Sequence, residues 1–391
     1  MKFSNLVERL QGRRTSAWEI HHAAQQAVGR GEDVIILSVG DPDFATPAPI
    51  VERAVAALRE GDTHYTSIMG REPLREAIAR MQRESGAREV GPQNVMLCAG
   101  AQNGLFASSL CLCEAGDEVL VPEPMYLTYE AAIRASGATL VPVPVDPERG
   151  FHLDCDALEA AVTPRTRAIF FATPCNPTGA VMPRDHLERI AQLAQRHDLW
   201  VVSDEVYADL TFEREHVSIA TLDGMAERTV TLGSLSKSHA MPGWRLGWVI
   251  APETLIGHLG RLALCMFYGL PGFIQQAALT ALEERAHVVA EMRAIYRRRR
   301  DLVYAHLSGV PGLRCLLPEA GMFMMIDVRG TGLDPHAFTW QLFEAQKVSL
   351  LDASAFGDTA SGYVRLGFVV DDARLVEGCE RIAAFVRQLG A

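Results

Sequence analysis

TVTLGSLSKSHAMPGWRLGWVIAP, residues 229 to 252, runs from one apolar strand-like segment (TVTLGS, 229–234) to another (LGWVIAP, 246–252). Between them stand Ser234, Ser236, Lys237 and Arg245, the last two eight residues apart in a stretch that reads as buried structure. A buried charge is costly unless something compensates it, so the segment raises the question of what satisfies its lysine and arginine.

Five more runs of the same kind come earlier: VMLCAG (95–100), EVLVPEP (118–124), TLVPVPV (139–145), AIFFATP (168–174) and LWVVSDE (199–205). Helix-period segments separate them, such as PLREAIARM (73–81), with Leu74, Ile78 and Met81 on one face, and HLERIAQLA (186–194), with Leu187, Ile190 and Ala194. Strands apolar on both faces and separated by helices predict an α/β fold, a mostly parallel seven-stranded sheet between helices.

After about residue 274 the texture changes to a long helical stretch (FIQQAALTALEERAHVVAEMRAIYRRRRDLVYAHL), a few strands (GMFMMIDV, KVSLLD, YVRLGF) and a closing amphipathic helix with Ile382, Phe385 and Leu389 on one side. This predicts a second, smaller α/β unit packed against the first, with no Pro/Ser-rich linker between them.

The chain has 391 residues, 48% of them hydrophobic and 22% charged, with a net charge of -11. That balance argues against a nucleic-acid or anionic-membrane surface. The one basic run, Arg297 to Arg300, reads as a solvated helix face. Eight cysteines without CxxC spacing read as free thiols in a reducing compartment, and with no signal-peptide or membrane-span pattern a soluble cytoplasmic protein is expected.

In an open parallel sheet, ligands collect at the carboxyl ends of the strands. There the sequence places Gly100, Ala101 and Gln102, then Asn176, Asp204, and Ser234 with Lys237. Taken singly these are weak signals. CAGAQNGL could cradle a phosphate at a helix start or be a plain turn, NPTG (176–179) could be a turn, and Asp204 could be a helix cap. Ser234-Leu-Ser-Lys237 matches the S-x-x-K of acyl-enzymes, but the K-T-G element they also need is absent. HExxH is absent, and His21 and His22 are adjacent on a helix, so no metal site is expected.

Together the pieces resemble the class I aminotransferases of the pyridoxal-5′-phosphate fold-type I group. SLSKSHAMPGWRLGW is similar to their S-x-S-K-x-x-x-x-x-G-W-R-x-G signature, NPTG to Asn-Pro-x-Gly, SDEVY to Asp-Glu-x-Tyr, and YVRLGF to their substrate-arginine strand. The resemblance runs from SVGDPDFATP (38–47) to Arg365.

It implies a pyridoxal 5′-phosphate enzyme in which Lys237 forms the internal Schiff base and carries the proton at Cα, and Asp204 holds the pyridine nitrogen protonated. Asn176 and Tyr207 would bond the phenolic oxygen. Tyr126 would stack on the ring. Ser234, Ser236, Arg245 and the backbone of Gly100, Ala101 and Gln102 would meet the phosphate. Arg365 would grip the substrate α-carboxylate, with Gly40 and Asn176 close by and Trp18 over the site. Tyr65 would reach the phosphate of a neighbouring subunit, which implies a homodimer. The expected division is a large cofactor-binding domain of residues 46–285 and a small domain built from 1–45 and 286–391.

Two departures stand out. Cys175 precedes Asn176 where relatives carry a polar residue or histidine, and Ala101 with Gln102 replaces commoner phosphate-turn residues. Both put side-chain phosphate contacts in doubt.

LALCMFYGLPGFIQ lacks the arginine that one subgroup uses for a distal carboxylate, which disfavours acidic substrates. EPMYLTYEA, SLSKSHAM, LALCMFYG and AIYRRRRDL resemble segments of a family member that takes L-arginine with pyruvate. Glu19 is then a candidate partner for a cationic side chain, although a solvated helix residue is the plainer reading. The alternatives are a broad-specificity aromatic or neutral transaminase, for which Trp18, Tyr126 and Phe267 would surround the pocket, an aspartate-type transaminase, a cysteine-conjugate β-lyase on the same cofactor, and a non-catalytic cofactor sensor.

Overall fold

A computed structural model describes residues 1–10, 18–86 and 89–390. Its main sheet has eight strands: β1 Val95–Cys98, β2 Glu118–Glu123, β3 Thr139–Asp146, β4 His152–Leu153, β5 Thr166–Ala172, β6 Trp200–Asp204, β7 Thr229–Ser234 and β8 Gly247–Ile250. Their order is β1-β8-β7-β6-β5-β2-β3-β4. The run β7-β6-β5-β2-β3 is parallel throughout, while β8 is antiparallel to both β1 and β7. The expected count of seven is corrected by β4, a two-residue strand too short to carry a period, which pairs antiparallel with β3.

Both faces are buried, as the apolar pattern requires. On β5, Ala168 and Phe170 pack with Leu105, Ile133 and Leu259, from helices on one side. Ile169 and Phe171 pack with Leu187, Ile190 and Ala194, on the other. Phe170 is fully enclosed, so its truncation to alanine costs about 3–5 kcal/mol.

The helix expected over 73–81 spans Glu72–Glu84 and buries Leu74, Ala77 and Ile78. That over 186–194 spans Arg184–Arg196 and buries Leu187 and Ile190.

The later part of the chain builds a four-stranded antiparallel sheet: β9 Arg314–Leu316, β10 Phe323–Asp327, β11 Leu351–Asp352 and β12 Tyr363–Gly367, in the order β9-β10-β12-β11. Ile35–Ile36 pairs parallel with Val348–Ser349, which ties the N-terminal segment to this part. The long helical stretch is two helices, Gly272–Glu283 and Arg285–Leu307. The closing helix is Asp372–Leu389, with Ile382 and Phe385 buried.

The reading of the basic run as a solvated face holds for Arg297 and Arg298, which are exposed, and is corrected for the other two. Arg299 and Arg300 are each 3% exposed. Arg299 bonds Asp43 at 2.7 Å and Asp372 at 3.2 Å, and Arg300 bonds Glu213 at 2.7 Å and Asp301 at 2.8 Å. Each guanidinium also lies over a phenylalanine ring, Phe44 and Phe212. Two acidic partners per cation make the burial tolerable; periodicity alone carries no sign of them.

The eight cysteines are unpaired. Among the described residues no helix is long and apolar enough to cross a membrane.

Candidate active site

β5, β6 and β7 end side by side, and their carboxyl ends open into a cavity of about 330 Å³. Asp204 closes β6 and Ser234 closes β7; Ser236 and Lys237 follow in the turn. Asn176 comes from the loop after β5. Gly40, Trp18 and Tyr126 reach the cavity from other segments, and Ala101, Gln102, Tyr207, Arg245 and Arg365 line it too, whereas Gly100 of the expected set does not line it.

Lys237 Nζ donates to the Gly40 carbonyl at 2.5 Å. Burial lowers its pKa from 10.5 to about 8, because the charged form loses water. Asp204 is shifted the other way, to about 6, again by loss of water; bonds from Val206 N–H at 3.2 Å and Tyr129 Oη at 3.0 Å hold it below what burial alone would give. The site thus holds an amine that gives up its proton readily and a carboxylate that keeps one more readily than usual, both at near-neutral pH.

Gly100 starts the helix Ala101–Leu112, whose first N–H groups have no intrahelical acceptor. With φ at 84°, Gly100 lies in the left-handed region, and a Cβ there would collide with the Arg245 guanidinium. Glycine thereby lets a cation lie directly over the helix start. Arg245 itself has φ 53°, a strained value for a side-chain-bearing residue, and donates to the carbonyls of Pro242 at 2.8 Å and Ala99 at 3.1 Å. It is exposed at the cavity rim, which corrects the expectation that it is buried. Ser234 Oγ lies 2.7 Å from Ser236 Oγ and accepts from the Ser236 N–H at 3.0 Å. Two hydroxyls, a guanidinium and a helix start form a concave anion-binding corner.

Arg365 is 3% exposed on β12. It donates to Asn176 Oδ1 at 2.9 Å and to the Ser38 carbonyl at 3.2 Å, while its Nε has no partner among the described residues. Phe323 and Phe356 flank its guanidinium. A buried cation with donors to spare and no carboxylate of its own is suited to a carboxylate brought by a ligand.

A profile of the family "Aminotransferase class I and II" matches residues 32–382. The chain belongs to the class I and II aminotransferases. It is 50% identical, over all of its length and 99% of the relative's, to the arginine–pyruvate transaminase of Pseudomonas aeruginosa. It is 38% identical to aromatic-amino-acid aminotransferase 2 of Thermococcus litoralis, over 91% of this chain and 92% of that one. The Thermus thermophilus aspartate aminotransferase structure with maleate superposes with a TM-score of 0.93 at 32% identity, covering 98% of this chain and 99% of that one.

In this aminotransferase two residues expected at the pocket, Phe267 and Glu19, lie away from the cavity, and Tyr65, expected at a neighbouring subunit's site, lies outside its own. Tyr65 is 85% exposed, its ring against Tyr268, in a separate surface recess with residues 269–273. Phe267 packs among the helices flanking β1 and β8 and does not line the cavity. Glu19 is exposed and does not line it either. Gln102 Oε1 accepts from Thr128 Oγ1 at 2.6 Å, so that side-chain oxygen is already engaged. Two residues were missed from sequence: Tyr129, whose hydroxyl meets Asp204, and Asp41, which lines the cavity. Tyr129 follows Tyr126 by three residues, its N–H bonded to the Tyr126 carbonyl at 3.0 Å in the turn that opens the helix Tyr129–Ala135, the one local hint that both face the same centre.

The donor set fits pyridoxal 5′-phosphate. An amine with a lowered pKa suits an aldehyde, a carboxylate suits a pyridine nitrogen, and the anion-binding corner suits a phosphate.

Proposed function

We propose that the chain catalyses pyridoxal-5′-phosphate-dependent transamination by a ping-pong mechanism, with L-arginine as amino donor and pyruvate as acceptor. The observation that carries the substrate assignment is the 50% identity, end to end, to an arginine–pyruvate transaminase.

When bound, the cofactor supplies an aldehyde that condenses with amines and a ring that takes up the electron pair released at the substrate Cα. Lys237 would hold it covalently, Asp204 would keep its ring nitrogen protonated, and Asn176 with Tyr207 would bond its phenolic oxygen. Tyr126 would cover the ring, and Ser234, Ser236, Arg245 and the backbone at Gly100 to Gln102 would hold the phosphate. Arg365 takes the α-carboxylate of the amino acid, with Gly40 and Trp18 closing around it. Since an oxo acid carries the same carboxylate, Arg365 serves both half-reactions. Lys237 Nζ, neutral above about pH 8, would move the proton from the substrate Cα to the cofactor carbon in the first half-reaction and from that carbon to the Cα of the second substrate in the other.

We also propose a soluble homodimer in which Tyr65 reaches the partner's site, since its exposure and its distance from its own cavity leave it free for such a role. The division into residues 46–285 and 1–45 with 286–391 rests on the two separate sheets and on the pairing of Ile35–Ile36 with the C-terminal part.

The test is an absorbance titration of purified protein with L-arginine, L-alanine, L-aspartate and L-phenylalanine, each followed by pyruvate or 2-oxoglutarate. Bleaching of the visible band by arginine and its return with pyruvate is the expected result. An unchanged band in Lys237→Ala would sink the mechanism. A second reading, an aromatic or neutral transaminase, draws on the 38% identical relative and on Trp18, Tyr126 and Tyr207 in the cavity. Bleaching by phenylalanine but not arginine would favour it. Ammonia released without an oxo acid would instead mean β-elimination.

A further inference from the structure

Five charged residues line the cavity among those described: Asp41, Asp204, Lys237, Arg245 and Arg365. The reading above assigns four of them to the cofactor or to the α-carboxylate. Asp41 is left over. It is exposed to the open space, and among the described residues no group donates a hydrogen bond to it. The nearby amine, Lys237 Nζ, is turned onto the Gly40 carbonyl, and His21 bonds Ser38 Oγ at 3.1 Å.

The segment from Ser38 to Asp41 runs along the site. Its Ser38 carbonyl receives Arg365, its Gly40 carbonyl receives Lys237, and it ends at Asp41. The three steps from Ser38 to Asp41 cover at most about 10 Å, the scale of one extended arginine molecule. Val39, Trp18 and Leu127 supply apolar wall beside it, suited to an aliphatic stem.

We propose that Asp41 is the specificity residue of this enzyme, receiving the positively charged side chain of the amino donor, with the guanidinium of L-arginine as the fitting group. The inference rests on the transaminase reading and deepens it by naming which residue reads the side chain. It replaces Glu19, which stands outside the cavity. A planar guanidinium can bond a carboxylate bidentately, so the contact selects for charge and for shape.

The test compares L-arginine with L-citrulline, its uncharged near-isostere, in the holoenzyme with pyruvate as acceptor. Wild type is expected to prefer arginine. Asp41→Asn is expected to cut the ratio of the two kcat/KM values about ten- to hundredfold, the loss typical of a charge-assisted bond. Asp41→Glu, which keeps the charge, should retain most of the preference. An effect of Asp41 on Lys237 or on folding would slow both substrates alike and leave the ratio unmoved, which would overturn the assignment while leaving arginine transamination intact. A wild-type enzyme that transaminates neutral amino acids and discriminates against arginine would overturn both.

Discussion

Tyr129 Oη donates a hydrogen bond to Asp204 Oδ2 at 3.0 Å, from a side chain that is 1% exposed and stands behind the cavity wall. The bond favours the ionised carboxylate, against the loss of water that favours the neutral acid. Tyr129→Phe removes the donor and keeps the ring. The acid limb of the kcat profile should then move to higher pH and kcat should fall roughly tenfold, the usual worth of a hydrogen bond to a charged group. The KM for the amino acid should change little. A kcat and KM series from pH 5 to 9 on both proteins checks this.

Asp204 also destabilises the fold it serves. Its folded pKa of about 6 lies above the ordinary value of 3.8, so between those values the folded protein binds more protons than the unfolded chain. Stability therefore falls as pH rises through that window. In cofactor-free protein, Asp204→Asn should be more stable than wild type by roughly 1–3 kcal/mol at pH 7.5, with the gain gone near pH 4. Urea titrations at the two pH values measure it, alongside the loss of activity expected of the variant.

Lys237 gives the opposite slope. With its pKa lowered to about 8, the folded protein releases this proton before the unfolded chain does, so the penalty for burying it is full below pH 8 and fades toward 10.5. The amine is also reactive earlier than an ordinary lysine. The rate at which cofactor-free protein takes up pyridoxal 5′-phosphate should rise with an inflection near pH 8; one near 10.5 would mean that the amine sits in water.

Gly100→Ala tests the proposed phosphate corner. The new Cβ would meet the Arg245 guanidinium at a residue with φ 84°, so either the cation or the helix start has to move. Cofactor affinity should drop at least tenfold, and stability by about 1–2 kcal/mol, from strain at a left-handed position. Equilibrium dialysis and thermal melts separate the two effects.

Arg365→Lys keeps the charge but loses the fork that reaches both Asn176 Oδ1 and the Ser38 carbonyl. KM should rise tenfold or more for the amino acid and for the oxo acid alike, because one group is expected to bind both carboxylates. A rise for only one substrate would argue for separate sites.

How much could be read in advance differs from residue to residue. Runs such as AIFFA (168–172) are apolar at every position, and that alone specifies a sheet covered on both faces, because no side of such a strand can be left in water. The polar residues interrupting those strands at their carboxyl ends mark where a ligand can lie; Asn176, Asp204, Ser234 and Lys237 all line one cavity. These are local properties of the chain, and periodicity and chain order express them.

Tertiary packing decided the rest. Arg245 reads as buried but is exposed, since the glycine at 100 leaves its guanidinium at the rim. Arg299 and Arg300 read as solvated but are enclosed, since Asp43, Asp372 and Glu213 arrive from distant segments. Tyr129 meets Asp204 across 75 residues, and Asp41 joins the cavity through the Ser38–Asp41 segment laid against Lys237 and Arg365. Whether a charge is paired, and with what, depends on which elements pack together, and no single stretch of sequence contains that information.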